Sequence, residues 1–518
     1  MAYFLKKLLN QSLLLALSCQ VLAYSLNSHA QNLSESIPEP VKSSLIHAKL
    51  PPEAISFSVT RINSKNKSNR NTAWQENIPM NPASTMKLVT TLGALDILGS
   101  QYRWNTNVYT NGSVNQGVLQ GNLYWQGSGD PKLIPEELSQ MMDTLRQQGI
   151  HTIDGDLFFD KSAYSTDVKL SAPNDQEFQR SYNVSPDPLL YAFQTLSFNI
   201  EAKNGAASIT YTPHLANLKV LNKLKIVNGA CKDWSQTVKK SIVKKDGQWL
   251  ANFSGFISKN CDEIHWNVVP IGADEFLSQG IIAAWEDAGG RWKKIPNTHL
   301  EKLPLSAKVL ISHQGITLGE AVVDVNKFSN NVMARQIFLT LSLEKNGKPA
   351  STNESEKIIK EWLKRNRLNM PNLVLQNGSG LSDIERISSK EMSSLLEYSL
   401  KSKHIETFLN SLPIAGVDGT MKHRLIERLK QIFMNNAQAS GSAFTPDTSL
   451  PLPLQKTGAY IKTGTLSNVR AISGFVVSRS GQVYAVSSFI NHLNAAKGGV
   501  AVHDALLNWL LEDGPDKS

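Results

Sequence analysis

The periodicity of this chain changes twice along its length, and that alternation restricts the fold more than any single motif. Residues Ala54 to Asn63 (AISFSVTRIN) alternate as a strand does. Pro82 then opens a helical segment. In it Leu88, Leu92 and Leu95 recur at i, i+4 and i+7, and Gly99 stands where a C-cap belongs. From residue 101 to about 300, short strand-like runs take over, among them NTNVYTNG, GNLYWQGSG, AASITYTP, WLANFSGF and EIHWNVVP. Asn-Gly and Gly-rich turns separate them. One helix, Phe276 to Ala288, closes that stretch. Helical periodicity returns in Thr317 to Leu343, Ser355 to Arg367 and Lys390 to Leu400. Pro451 and Pro453 mark a break. A strand, Ala459 to Leu466, leads into a hairpin with arms Ala471 to Ser478 and Val483 to Ile490. A closing amphipathic helix carries Val502, Leu506, Trp509 and Leu510.

A strand and helix before residue 100 must therefore meet helices and strands after 310. The expected fold is a discontinuous α+β core, residues 31–100 and 310–518, with an antiparallel sheet flanked by helices. A large β-rich insert, residues 101–309, leaves and returns at one edge. Residues 31–50 read as an irregular lead-in.

The first thirty residues read as a targeting segment. Lys6 and Lys7 form a basic start, Ser12 to Tyr24 an apolar stretch, and Ser28-His29-Ala30 a small-x-small cleavage site. A second cut after Ala23 and an uncleaved anchor are the alternatives. The apolar stretch is short for a bilayer span of ~20 residues. The net charge is +9, and removing two lysines leaves 9 − 2 = +7. No long Lys/Arg run with interleaved aromatics accompanies it, which argues against nucleic acid as a partner. A basic excess suits an acidic polymer of a cell envelope, and peripheral envelope or membrane association is compatible with it. Cleavage removes Cys19 and leaves Cys231 and Cys261, an even pair that reads as one disulfide in an exported chain. Two buried free thiols are the alternative. Neither a zinc set nor a His-Glu-x-x-His is present, so no metal or cofactor is expected.

Three short motifs carry chemistry. The first is Ser84-Thr85-Met86-Lys87. Residues three apart share a helix face, so hydroxyl and amine can meet. A serine hydroxyl needs a base before it attacks, and a lysine is that base only when burial or nearby positive charge lowers its pKa. The second is Ser329-Asn330-Asn331. A serine here can relay a proton to a leaving amine, and the Asn331 amide can hold a substrate backbone. An ordinary serine N-cap is the alternative. The third is Lys-Thr-Gly, present twice, at Lys456-Thr457-Gly458 and at Lys462-Thr463-Gly464-Thr465. A strand-edge lysine can bind a carboxylate, a threonine adds a hydroxyl, and glycine lets a backbone approach closely. Six residues at ~3.3 Å each put the two lysines up to ~20 Å apart, so both cannot bind one carboxylate. Lys456 follows two prolines and reads as loop, whereas Lys462 lies in a β-favouring run. Lys462 is the expected ligand.

In this order the three motifs resemble the Ser-x-x-Lys, Ser-x-Asn and Lys-Thr-Gly set of the serine penicillin-recognising enzymes. The wide gap between the first two is similar to that of the low-molecular-mass class C penicillin-binding proteins, the D-alanyl-D-alanine carboxypeptidase/endopeptidases. So are Gly127-Ser128-Gly129-Asp130-Pro131, Asn377-Gly378-Ser379-Gly380-Leu381-Ser382 and the stretch from Leu412 to Thr420 (LPIAGVDGT). That family often has Asp where Asn377 stands. The resemblance implies a penicillin-binding, serine β-lactamase-like core and a periplasmic enzyme. It would act on peptidoglycan stem peptides and be acylated by β-lactams as covalent inhibitors. Ser84 would be the nucleophile and Lys87 its base. Ser329 would protonate the leaving amine, and Lys462 with Thr463 would hold the substrate carboxylate. The Ser84 and Thr465 N–H groups would form the oxyanion hole. Two rivals stand beside this reading. A serine β-lactamase shares the motifs, and Glu406-x-x-Leu409-Asn410 imitates its deacylating element. A penicillin sensor or peptidoglycan-binding module without turnover is the other.

Overall fold

The structure is a computed structural model. It describes residues 37–62, 72–168, 179–203, 205–231, 233–261, 263–438 and 446–514. The expected targeting segment, residues 1–30, lies outside the described residues. No helix among the described residues is long and apolar enough to cross a membrane.

The central element is a five-stranded antiparallel sheet. Its order across is Thr72–Trp74, Ile55–Arg61, Val483–Asn491, Val469–Val477, Gly458–Leu466. The strand Ile55–Arg61 thus lies between Thr72–Trp74 and Val483–Asn491, a segment more than four hundred residues later, with Phe57 opposite Ser488. Strand alternation sorts the apolar side chains onto two faces. Ile472, Val476, Tyr484 and Val486 pack under Val502, Leu506 and Leu510 of the C-terminal helix, Ala495–Leu511. Phe475, Val477, Ala485 and Phe489 pack on the other side. They meet a layer that includes the helices Lys87–Leu98, Leu318–Phe328, Asn331–Asn346, Thr352–Arg365 and Ser389–Ser399.

The strand-rich stretch forms its own sheets. One runs Thr298–Leu300, Leu157–Asp160, Leu123–Gly127, Arg103–Thr110, Lys308–Thr317. Its last two strands pair antiparallel side by side, so the chain enters and leaves this region at one sheet edge. A second core, including Trp125, Phe159, Phe198, Phe253 and Trp285, unites these sheets.

Three local expectations are corrected. The lead-in holds a helix, Glu39–His47, whose Val41 and Leu45 are buried against the sheet. The β-rich stretch contains a second long helix, Pro135–Gln147, with Pro at its first turn and Leu138, Met141, Met142 and Leu145 on its buried face. The single helix expected over Thr317 to Leu343 is two. Ser329, at φ 59°, takes the left-handed conformation and ends the first, and Asn330 caps the second by accepting from the Met333 N–H.

Cys231 and Cys261 are disulfide-bonded across a separation of 30 residues. They tie together the ends of the paired strands Leu218–Val227 and Gln248–Ser258. Breaking the bond is expected to destabilise that sheet by roughly 3.6 kcal/mol in the loop-entropy account. Thiol titration of denatured, unreduced mature protein should find no free thiol, and the Cys231→Ser/Cys261→Ser variant should unfold locally at lower denaturant. Two titratable thiols would contradict the pairing.

Candidate active site

Ser84 lies on a 3₁₀ turn, Ala83–Met86, that runs into the helix Lys87–Leu98. The turn holds its shape through Asn81, whose side-chain oxygen accepts from the Ala83 N–H at 2.9 Å, and through the Thr85 hydroxyl, which donates to the Pro82 carbonyl. Ser84 remains half-buried while its neighbours Ala83, Thr85 and Met86 are buried.

Lys87 is fully buried, at 0% exposure. Its amine lies 2.9 Å from the Ser84 hydroxyl, 2.6 Å from Asn331 Oδ1 and 2.5 Å from the Ser379 carbonyl. Two of these three neighbours only accept hydrogen bonds. A neutral amine can satisfy both with its two N–H groups and present its lone pair to the Ser84 O–H. Burial favours that neutral form, and the Lys462 and Arg335 cations push the same way. Glu385 opposes them, and the net result is a pKa well below the lysine range. Asn331 is oriented by its own amide, which donates to the Tyr182 carbonyl at 3.2 Å. The strand-rich region therefore reaches into this site.

The break at Ser329 explains the Ser-x-Asn spacing. The left-handed residue between two helices lets two nearby side chains turn toward different lysines. Asn331 accepts from Lys87, and the Ser329 hydroxyl accepts from Lys462 at 2.9 Å.

Lys462 is also at 0% exposure, on the edge strand Gly458–Leu466. Strand parity puts it on the same face as Tyr460, toward the helical layer. Burial pushes its amine down to about 7. Gly464 follows on that face, and a Cβ there would come within 2.7 Å of the Pro82 carbonyl and 3.0 Å of the Ser84 nitrogen. Only glycine lets the strand lie this close to the Ser84 turn. The Thr463 hydroxyl donates to that of Thr420 at 2.8 Å. Among the described residues, the outer edge of the strand is bonded by backbone only at its start. The Ala415 N–H donates to the Ala459 carbonyl, and the Ile461 N–H donates to the Pro413 carbonyl. Before Pro413 the chain is the helix Ile405–Ser411. By alternation the N–H groups of Thr463 and Thr465 face the same open edge. Lys456, by contrast, is exposed after the 3₁₀ turn Leu452–Gln455, outside the strand.

The structure thus brings Ser84, Lys87, Ser329, Asn331 and Lys462 together, with Gly464 against the Ser84 turn. Sequence reasoning missed the roles of Ser379, Thr420, Tyr182 and Glu385. Ser379 and Thr420 lie in stretches quoted above for their resemblance, whereas Tyr182 contributes a backbone carbonyl and leaves no residue-type signal. Glu406 is exposed on its helix and is not among the hydrogen-bond partners of Ser84 or Lys87. Among the described residues, no group of three or more His, Cys, Asp or Glu side chains is placed to hold a metal ion.

Comparison with known proteins decides the family. The D-Ala-D-Ala carboxypeptidase 3 (S13) family matches residues 41–437, more than half of the chain. The chain belongs to that family. It is a serine-type D-Ala-D-Ala carboxypeptidase by membership. The matched span contains both Ser84-x-x-Lys87 and Ser329-x-Asn331. Among curated proteins it is similar to D-alanyl-D-alanine carboxypeptidase DacB of Haemophilus influenzae, 24% identical over 411 residues, covering 79% of this chain and 80% of the relative. It is also similar to a D-alanyl-D-alanine carboxypeptidase of an Actinomadura species, 25% identical over 467 residues, with 83% and 77% covered. Its fold is that of the crystal structure of penicillin binding protein 4 from Haemophilus influenzae. That match has a TM-score of 0.68 at 22% identity and covers 91% of this chain and 99% of the other. A second structure of that protein holds a β-lactam and matches with a TM-score of 0.63 at 23% identity, over 91% and 99% of the two chains. The S13 enzyme fold is thus the mixed α+β, penicillin-binding-type fold expected from the sequence.

The choice between the two Lys-Thr-Gly copies has a direct test. Lys462→Ala is expected to lose most turnover of a D-alanyl-D-alanine peptide. Lys456→Ala, a surface change, should stay within a few-fold of wild type. The reverse pattern in steady-state kinetics would move the carboxylate site to Lys456.

Proposed function

We propose that this S13 enzyme cleaves the D-alanyl-D-alanine termini of peptidoglycan stem peptides, and D-alanyl cross-links, through an acyl-enzyme on Ser84. One observation carries the reading. The Ser84 hydroxyl is 2.9 Å from a buried lysine amine whose surroundings favour the neutral form. As the Ser84 oxygen bonds to the carbonyl carbon between the last two residues, its proton passes to Lys87. The negative charge developing on the carbonyl oxygen meets the Ser84 and Thr465 N–H groups. Lys462 and the Thr463 hydroxyl hold the terminal carboxylate, and Asn331 the substrate backbone. As the C–N bond breaks, the Ser329 hydroxyl hands its proton to the departing amine, and the proton held by Lys87 is relayed back to Ser329, which leaves Lys87 neutral. Water then attacks the ester, Lys87 takes its proton, and that proton passes to the Ser84 oxygen as the ester bond breaks. β-Lactams enter the same path because their ring amide presents a carbonyl and a carboxylate in comparable positions. A β-lactamase needs a rapid deacylating base, and among the described residues the hydrogen bonds around Ser84 and Lys87 include no carboxylate.

We place this activity in the periplasm after removal of residues 1–30. Residues 101–309 act as an inserted β-rich domain between the two halves of the catalytic core, residues 31–100 and 310–518. Digestion of purified cross-linked muropeptides with mass analysis tests the reading. Loss of terminal D-alanine, or appearance of uncross-linked monomers, supports it. Intact muropeptides alongside rapid β-lactam hydrolysis would favour a lactamase, and stable labelling without turnover a sensor.

A further inference from the structure

The Lys87 amine leans on the Ser379 carbonyl, and what holds that carbonyl in place lies several residues further on. Glu385 is fully buried. Its Oε1 accepts three consecutive backbone N–H groups, those of Gln376, Asn377 and Gly378, at 3.0, 2.9 and 3.1 Å. The same loop is tied by the Asn377 side-chain oxygen, which accepts from the Ser379 N–H at 2.9 Å and the Ser379 hydroxyl at 2.6 Å. The Thr90 hydroxyl, one helical turn beyond Lys87, donates to the Gly378 carbonyl. Gly380, at φ 79°, presses against the nucleophile turn, and a Cβ there would lie 1.9 Å from the Ala83 carbonyl. The loop is therefore a rigid cradle between Glu385 and the Ser84–Lys87 pair.

Glu385 has a second feature that loop-holding does not need. Among the described residues its Oε2 is buried without a hydrogen-bond partner, and so is Arg335 Nε. Arg335 is 2% exposed and one helical turn beyond Asn331, with Nη1 donating to the Val184 carbonyl at 3.1 Å. The charged groups acting on Lys87 are the cations Lys462 and Arg335 and the carboxylate Glu385. Buried charges with little water between them act over longer distances than exposed ones.

We propose that Glu385 is a positioning residue for acylation, aiming the Ser379 carbonyl at the Lys87 amine, and that Glu385 and Arg335 are an opposed pair of buried charges governing whether that amine holds a proton. This rests on Lys87 being the base. The negative charge of Glu385 favours the protonated amine, whereas the positive charge of Arg335 favours the neutral one. Asn377 fits the same scheme. Its amide donates to the Leu381 carbonyl at 3.0 Å, which a carboxylate could not do, so the carboxylate at this loop is that of Glu385.

The test is the pH dependence of penicillin acylation, read as the second-order rate constant, in the full mature protein. Glu385→Gln keeps a side-chain oxygen for the three N–H groups and removes the charge. Its acid limb is expected to move to lower pH by roughly one unit, and that of Arg335→Gln to higher pH by a similar amount. Glu385→Asp keeps the charge and should leave the limb near its wild-type position while lowering the plateau rate through the shorter reach. Thermal melts and labelling stoichiometry check folding, and Arg335→Gln carries the test if Glu385→Gln does not fold. Unshifted limbs in the folded variants, or shifts of the same sign, would overturn the proposal and leave Glu385 a loop-folding residue. Lys87→Arg in the same assay separates the two levels. If it acylates normally, the base assignment fails. If it is dead while the limbs stay fixed, only the role of Glu385 and Arg335 fails.

Discussion

Ser84→Ala is expected to abolish covalent labelling by a fluorescent penicillin and to lower D-alanine release by on the order of 10⁶-fold, the loss that follows removal of a peptidase nucleophile. The fold should survive. The substitution deletes one half-buried hydroxyl, and the turn around it is held by Asn81 and Thr85 rather than by Ser84. Lys87 would keep the Asn331 oxygen and the Ser379 carbonyl as partners. Thermal unfolding should therefore match wild type while activity is gone. A Ser84→Ala protein that still labels would place the nucleophile elsewhere. If Ser84→Ala does not fold, Ser84→Gly, which also lacks a nucleophilic atom, replaces it.

The second large effect concerns the base. Lys87→Arg places a permanent cation at the site, because a guanidinium cannot give up its proton near neutral pH. Acylation should fall by at least ~10²-fold, the usual contribution of a general base. The sign of the pH dependence follows from the same chemistry. The wild-type amine works only when neutral, so acylation should decline as pH falls through the Lys87 pKa. Burial and the cations of Lys462 and Arg335 place that pKa below the lysine range. Lys462 has the opposite requirement. In its proposed role it binds a carboxylate as a cation, and with its pKa at about 7 it loses the proton as pH rises, which sets an alkaline limb. The two buried amines interact, and the two limbs belong to the pair. Near-normal acylation in Lys87→Arg would refute the base assignment.

How far the sequence could be read depended on whether a feature was local. Ser84 and Lys87 are three residues apart, so their meeting follows from helical geometry before any tertiary contact is known. Lys462 and Lys456 were separable because Pro451 and Pro453 exclude one copy from a sheet. The discontinuous sheet followed from the switches in periodicity at about residues 100 and 310. Other features escaped for definite reasons. The apolar spacing of residues 317–343 runs unbroken through Ser329, and the left-handed turn there uses a serine where glycine would have announced it. The helix Pro135–Gln147 is polar on most of its surface and sits among strands, so its four buried residues did not register as a separate element. The helix Glu39–His47 buries only Val41 and Leu45, too few positions to establish a period. Glu385 and Tyr182 act through backbone groups, those they bind or those they offer, and side-chain patterns carry no record of such contacts.

The central claim is that Ser84 carries the acyl group. The most direct measurement is mass mapping of the wild-type protein after brief exposure to penicillin, followed by proteolysis. The account predicts a single modified peptide with the penicilloyl mass on Ser84. A modification mapping to Ser329, Ser379 or any other residue, with Ser84 unmodified, would contradict it.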